Sequence, residues 1–208
     1  MEKLQNPQAI EQESFRMIAE ELGPHCFSEL EFPIVQRVIH ASADFDFAKN
    51  IVVHPKAIEG GLEAIRRGEG IVVDVEMIRA GINKKGLTQF GKGEVHSFIA
   101  DSDVVEEAKK LGLTRAIMSM RKAVRTVEGG IYAIGNAPTA LFELIRLIRS
   151  GQAKPSLVIG VPVGFVSAAE SKEELLTCHS IPHIVCRGRK GGSPIAVAIV
   201  NALVKLAG

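Results

Sequence analysis

The sequence predicts a three-layer α/β domain with a mostly parallel central sheet. Short β-branched runs alternate with helical patterns along most of the chain, and the runs are almost continuously apolar, as strands covered on both faces must be. A chain of 208 residues, 46% of them hydrophobic, also has enough apolar material for a sizeable core. No low-complexity segment, fixed-period repeat or linker interrupts it, so residues 1–208 are expected to form a single domain.

The elements follow in order. Asn6-Pro7, then Ile10, Ser14, Met17 or Ile18, and Leu22, has helical spacing, with Asn6 as cap, Pro7 at the first helical position and Gly23-Pro24 as the stop. "SELE" (28–31) is a capping-box pattern ahead of "FPIVQRVIH", although Pro33 can reset the helix start by a turn. Strand and helix then alternate: "NIVVH" with "PKAIEGGLEAIRRG", "GIVVDV" with "EMIRAGI", and "EVHSFIA" with "SDVVEEAKKLG". After the helical "TRAIMSMRKAVRTVEGG" come "IYAIG" with "NAPTALFELIRLIRSG", "SLVIGV" with "AAESKEELLTC", and "HIVCRG" with "SPIAVAIVNALVKLAG". The longest loop candidate is "NKKGLTQFGKG" (83–93), either a flap over a site or a solvated connection.

Charge and composition narrow the function. Lys and Arg (25) nearly balance Asp and Glu (24), so the net charge of +1 provides no field to attract nucleic acid or an anionic membrane. With no Trp and one Tyr there is little to stack on single-stranded bases. The first twenty residues lack signal-peptide features and no apolar run approaches a membrane span, which predicts a soluble, cytoplasmic protein. Cys26, Cys178 and Cys186 form no CxxC or even-numbered framework and read as reduced, buried thiols.

In an open parallel sheet, ligands bind beyond the carboxyl ends of the strands. Four loops suit that role. "IGNAPTA" (134–140) offers Asn136 as a cap, Thr139, and backbone N–H groups for an anion. "VPVGFVSAAESK" (161–172) contributes Gly164 and Ser167, and "RGRKGGSP" (187–194) contributes Arg187, Arg189 and Ser193. "LTRA" (113–116) puts Arg115 in the first turn of a helix, where a cation opposes the dipole and calls for a compensating partner. Together these describe a pocket for an anion. The spacing of "GRKGGS" is not that of a phosphate loop, no histidine pair has metal-ligand spacing, and "GFVSA" is not a nucleophile elbow. No protein-bound metal is expected.

The densest chemistry lies in "RVIHASADFD" (37–46). Arg37 and His40 share a helical face. Arg37 disfavours an imidazolium at His40, whereas Asp44 or Asp46 favours it, and a balance between them suits general acid/base work. A histidine at a helix end with no such role is the plainer reading of the same residues, and whether Asp44 joins the face depends on where the helix stops.

Read together, "RVIHASADFDF", "DVEMIRAGI", "IGNAPTALFELIRLI", "VPVGFVSAAESKEEL" and "RGRKGGSPIAVAIVNAL" resemble the precorrin-8X methylmutase family, including the cobalt-precorrin-8 methylmutases, over nearly the whole chain. The resemblance implies an α/β homodimer that moves a methyl group within ring C of a contracted tetrapyrrole, yielding hydrogenobyrinate or cobyrinate, with no organic cofactor. It places the proton-handling histidine at His40 and substrate contacts at Ser14, Arg37 and Arg115. An apolar macrocycle bearing acetate and propionate groups needs a cleft edged by N–H groups and guanidiniums, which helix N-termini with Arg37, Arg115, Arg187 and Arg189 would supply. Two other readings stand beside this one: a corrinoid carrier without turnover, and a nucleotide-dependent α/β enzyme using "GRKGGS".

Overall fold

A computed structural model describes residues 6–91 and 93–208. Met1–Gln5, the start of the segment inspected for leader features, and Lys92, in the 83–93 stretch, lie outside the described residues. In chain order the elements are α1 (Pro7–Leu22), α2 (Phe32–Ser42), α3 (Asp46–Asn50), β1 (Ile51–Val53), α4 (Ala57–Arg66), β2 (Ile71–Val73), α5 (Glu76–Gly81), α6 (Lys84–Thr88) and β3 (Val95–His96). They continue with α7 (Ser102–Leu111), α8 (Arg115–Thr126), β4 (Ile131–Ile134), α9 (Pro138–Arg149), β5 (Leu157–Gly160), α10 (Ala168–Leu176), β6 (His183–Cys186) and α11 (Ser193–Ala207).

The six strands form one sheet in the order β1-β6-β5-β4-β2-β3. All neighbours pair in parallel except β1, which runs antiparallel to β6 with Val52 opposite Val185. The expected mostly parallel sheet is therefore present. From β2 the chain steps outward to β3, then returns to the other side of β2 for β4, β5 and β6, so the topological switch lies between β2 and β4.

Strand side chains alternate between two cores. Ile71, Val73, Ile131, Ala133, Leu157, Ile159, Ile184 and Cys186 face a layer containing α1, α2, α4, α5, α6 and α11. Val72, Tyr132, Ile134, Val158 and Val185 face α7 to α10. Burial on both faces explains the unbroken apolar runs. The helix α11 is apolar on most of its circumference because it is packed against α2, α4 and α5 as well as the sheet.

Local signals set the ends that matter for the site. The Asn6 side chain accepts from the amides of Gln8 and Ala9 at 3.0 and 3.3 Å, as an N-cap does. Ser28 N–H donates to the Glu31 carboxylate at 2.8 Å and Glu31 N–H to Ser28 Oγ at 3.3 Å, so the capping box forms, but the helix proper starts at Phe32 with Pro33 in its first turn. It ends at Ser42, where Ala43 turns left-handed (φ 52°), leaving Asp44 beyond it.

The 83–93 stretch corrects the sequence reading. Instead of a flap or a solvated connection it contains α6, capped by the Asn83 side chain, which accepts from Gly86 N–H at 3.0 Å. Leu87 is buried in the core, and Asn201 of α11 accepts from Asn83 N–H at 2.8 Å and donates to Gly81 O at 3.1 Å. Five residues are too few for a helical period to show in sequence.

Candidate functional site at the carboxyl edge

The loops after β5 and β6 are stitched together. Gly164 N–H donates to Arg189 O at 3.2 Å and Gly192 N–H to Val161 O at 2.8 Å. A side chain at Gly191 would put a Cβ 2.2 Å from Val161 O, so the two loops can approach this closely only with glycine there. The joined loops hold Phe165 and Val166 out in solvent, 82% and 83% exposed. The Arg189 guanidinium lies 5.3 Å from the centre of the Phe165 ring, a cation–π contact. Arg187 faces Glu173 at 3.4 Å, and Ser193 is buried at the start of α11.

Because β1 is antiparallel, the α2–α3 corner that precedes it also reaches this edge of the sheet. Lys190 grips the corner, with its ammonium 2.6 Å from Asp44 and 2.9 Å from Asp46. Those hydrogen bonds hold both carboxyls below the ordinary range. Inside the loop, Lys172 of α10 donates to Lys190 O at 2.8 Å. Burial pushes the Lys172 ammonium down to about 8.

His40 stands exposed in the last turn of α2, edge-on to Phe15 with ring centres 5.2 Å apart. Arg37 covers the same ring, its guanidinium 4.6 Å from the centre, and Nη1 donates to Glu11 at 2.6 Å. Glu11 also faces Lys205 at 3.5 Å, and the Arg37 hydrogen bond leads in holding its carboxyl low. Ser14, beside Phe15, donates its hydroxyl to Ile10 O at 2.8 Å. A pocket of about 330 Å³ opens among Phe15, Pro33, Gln36, Arg37, Lys205 and Leu206. Arg37 and His40 thus converge on Phe15, a residue the sequence reading missed, and Ser14 is its neighbour along α1.

Partners distant in sequence take up several of the groups singled out above. Among the described residues, no hydrogen bond or ion pair joins His40 to Arg37, Asp44 or Asp46; Glu11 engages the guanidinium and Lys190 the two carboxylates. Nor does Asn136 cap α9. Asp74, buried at the end of β2, spans the switch point and accepts from the amides of Gly135, Asn136 and Ala137 at 3.0, 2.9 and 2.7 Å. Burial pushes the Asp74 carboxyl up while these three donors oppose the shift. The N–H groups expected to receive a ligand anion are therefore taken by the protein's own carboxylate.

Arg115 and Thr139 lie on the opposite face of the sheet from His40. Thr114 caps α8 by accepting from Ile117 N–H at 3.2 Å, and its hydroxyl meets that of Thr139 at 3.2 Å, which brings the starts of α8 and α9 together with Arg115 exposed beside them. The sequence-predicted residues therefore fall into three groups: Ser14, Arg37 and His40; Arg115, Thr139 and the exposed Asn136; and the edge loop with Arg187, Arg189 and Ser193.

An exposed aromatic ring under a guanidinium suits a flat apolar ligand with peripheral carboxylates, and an exposed imidazole can exchange a proton with it. Among the described residues, no group of three or more His, Cys, Asp or Glu is placed to hold a metal ion, and no helix is long and apolar enough to cross a membrane.

Comparison with known proteins agrees with this chemistry. The family profile for precorrin-8X methylmutase (CbiC) matches residues 9–206. A cobalt-precorrin-8 methylmutase of Priestia megaterium is 59% identical over 201 residues, covering 97% of this chain and 88% of the relative. A precorrin-8X methylmutase of Pseudomonas aeruginosa is 37% identical over 202 residues, covering 96% of each. The solved precorrin-8X methyl mutase of Thermus thermophilus superposes with a TM-score of 0.89 at 46% identity, covering 96% of both chains. The chain belongs to the precorrin-8X methylmutase family, isomerases of cobalamin biosynthesis that shift a methyl group within one molecule.

Proposed function

We propose that the protein converts precorrin-8X or cobalt-precorrin-8 to hydrogenobyrinate or cobyrinate, with His40 as the acid/base group. The observation that carries this reading is the solvent-facing Phe165–Val166 surface under Arg189, fixed by Lys190 to the corner that follows His40. The macrocycle lies against the apolar surface, and Arg187 and Arg189 receive its carboxylates. Arg37 orients a further carboxylate once Glu11 releases it, Ser14 hydrogen-bonds the periphery, and Arg115, Asn136, Thr139 and Ser193 are additional contacts. His40 protonates a ring nitrogen or the adjacent carbon, which draws electron density from the conjugated system and lowers the barrier to a sigmatropic methyl shift. Any cobalt arrives as part of the substrate. The protein acts in the cytoplasm as a homodimer, with residues 1–208 as one domain.

The test is an anaerobic ultraviolet–visible titration with metal-free and cobalt-loaded precorrin-8, alongside light scattering for the oligomeric state. Catalytic conversion of one form to the corrin chromophore supports the mutase and selects its substrate. Stoichiometric colour without turnover would leave a carrier instead.

A further inference from the structure

Lys172 is fully enclosed, an expensive place for an ammonium that an apolar side chain would occupy at less cost. Its one hydrogen bond runs 2.8 Å to Lys190 O. On either side of that carbonyl, Arg189 O accepts from Gly164 N–H, and Gly192 N–H donates to Val161 O. Lys172, on α10, thus ties the loop after β6 to the helix that follows the other edge loop, between those two rungs, while the Lys190 ammonium points the other way, to Asp44 and Asp46.

We propose that Lys172 is a positioning residue: by pinning the Lys190 carbonyl it fixes the loop that presents Arg187 and Arg189 against the loop that presents Phe165, in register with the α2–α3 corner beyond His40. Its effect on turnover rests on the function proposed above; its effect on the loop does not.

The charged and titratable neighbours are few. Burial is the dominant influence on Lys172, opposed by Cys186 of β6 and Glu173 of α10. The Cys186 thiol is itself pushed up to about 12 by burial, Glu173 faces Arg187, and Arg149 of α9 is paired with Glu174. The folded-state value of about 8 lies below that of an unfolded lysine, about 10.4, so the unfolded chain binds more protons between these limits. This group therefore adds stability as pH rises through the window, while the clamp loses its charge. Loop order is then expected to fall while global stability does not, so exchange at the loop amides reads the clamp separately from the fold.

The test compares amide exchange at Gly164 and Gly192, corrected for intrinsic rates, in the wild type on both sides of pH 8 and in Lys172→Met. Melting temperatures and turnover of cobalt-precorrin-8 are measured in parallel. Exchange at both amides is expected to rise about tenfold or more above pH 8 and in the variant, without a lower melting temperature. Variant kcat/KM is expected to fall on the order of tenfold, and its rate profile to lose the inflection near 8. Unchanged protection, or protection and melting temperature falling together, overturns the proposal. If Lys172→Met does not fold, the wild-type pH series decides. A wild type that fails to convert substrate while its loop loosens above pH 8 would sink the function and keep the clamp.

Discussion

Replacing Asp74 by alanine removes the shared acceptor of three amides at once, the buried one of Gly135 and the partly buried ones of Asn136 and Ala137. A buried donor left without an acceptor costs about 1–3 kcal/mol and a partly buried one, which water can reach, less, a gross loss of about 3–6 kcal/mol. Removing the buried carboxylate also removes its desolvation penalty, an offset of about 1–2 kcal/mol, so the net destabilisation should be about 2–4 kcal/mol. That is a large share of the roughly 5–15 kcal/mol that holds a typical domain together. With no Trp and one Tyr, the chain is best followed by far-ultraviolet circular dichroism in urea. At a slope of about 2–3 kcal/mol per molar, the midpoint should move down by about 1–2 M. Asp74→Asn retains one acceptor oxygen but turns an NH₂ toward an N–H, and should lose about half as much. A midpoint shift below about 0.3 M for Asp74→Ala would refute the bridge as the element that ties β2 to the start of α9.

Three further outcomes are expected. His40→Ala should keep tetrapyrrole binding and lose turnover on the order of a hundredfold, read by titration and single-turnover spectra of the same sample; full activity would remove His40 from the chemistry. Burial pushes the Glu143 carboxyl up, but Arg146 and Arg121, at 2.7 Å each, outweigh it and hold it below its ordinary value. Its stabilisation is therefore present above the ordinary carboxylate range and lost as pH falls through the folded-state value, so Glu143→Gln should flatten the acid limb of a melting-temperature curve relative to wild type. The Ser119 hydroxyl is buried with no partner among the described residues, and Ser119→Ala should be neutral or raise stability by up to about 1 kcal/mol in the same urea assay.

Features written in local spacing were legible. Asn6-Pro7 announces α1, and the apolar runs after residue 50 became the strands, all but the short edge strand β3 carrying buried residues. What escaped was set by contacts distant in sequence. Asn136 looks like a cap because it precedes a proline; Asp74, some sixty positions earlier, prevails because a carboxylate at the end of a buried strand can reach three amides across the switch point. A hint existed in "IVVDV", where a charge closes an apolar run. Lys172 is comparable: it shares a helical face with Ala168 and Leu175, and a cation on an apolar stripe is a signal in its own right. Sequence proximity shows that Arg37, Asp44 and Asp46 are close to His40 along the chain but not that Glu11 engages the guanidinium and Lys190 the two carboxylates. The residues of the active-site reading were thus visible as types, whereas their partners belonged to the tertiary structure.

The sheet ends on one side with the three residues of β1 and on the other with the two of β3. Free margins this short offer an incoming strand only a few backbone rungs, too few to template growth from molecule to molecule. The protein should accordingly resist the edge-to-edge polymerisation that threatens open parallel sheets. Any partner meets side-chain shape and chemistry at these margins rather than a backbone template.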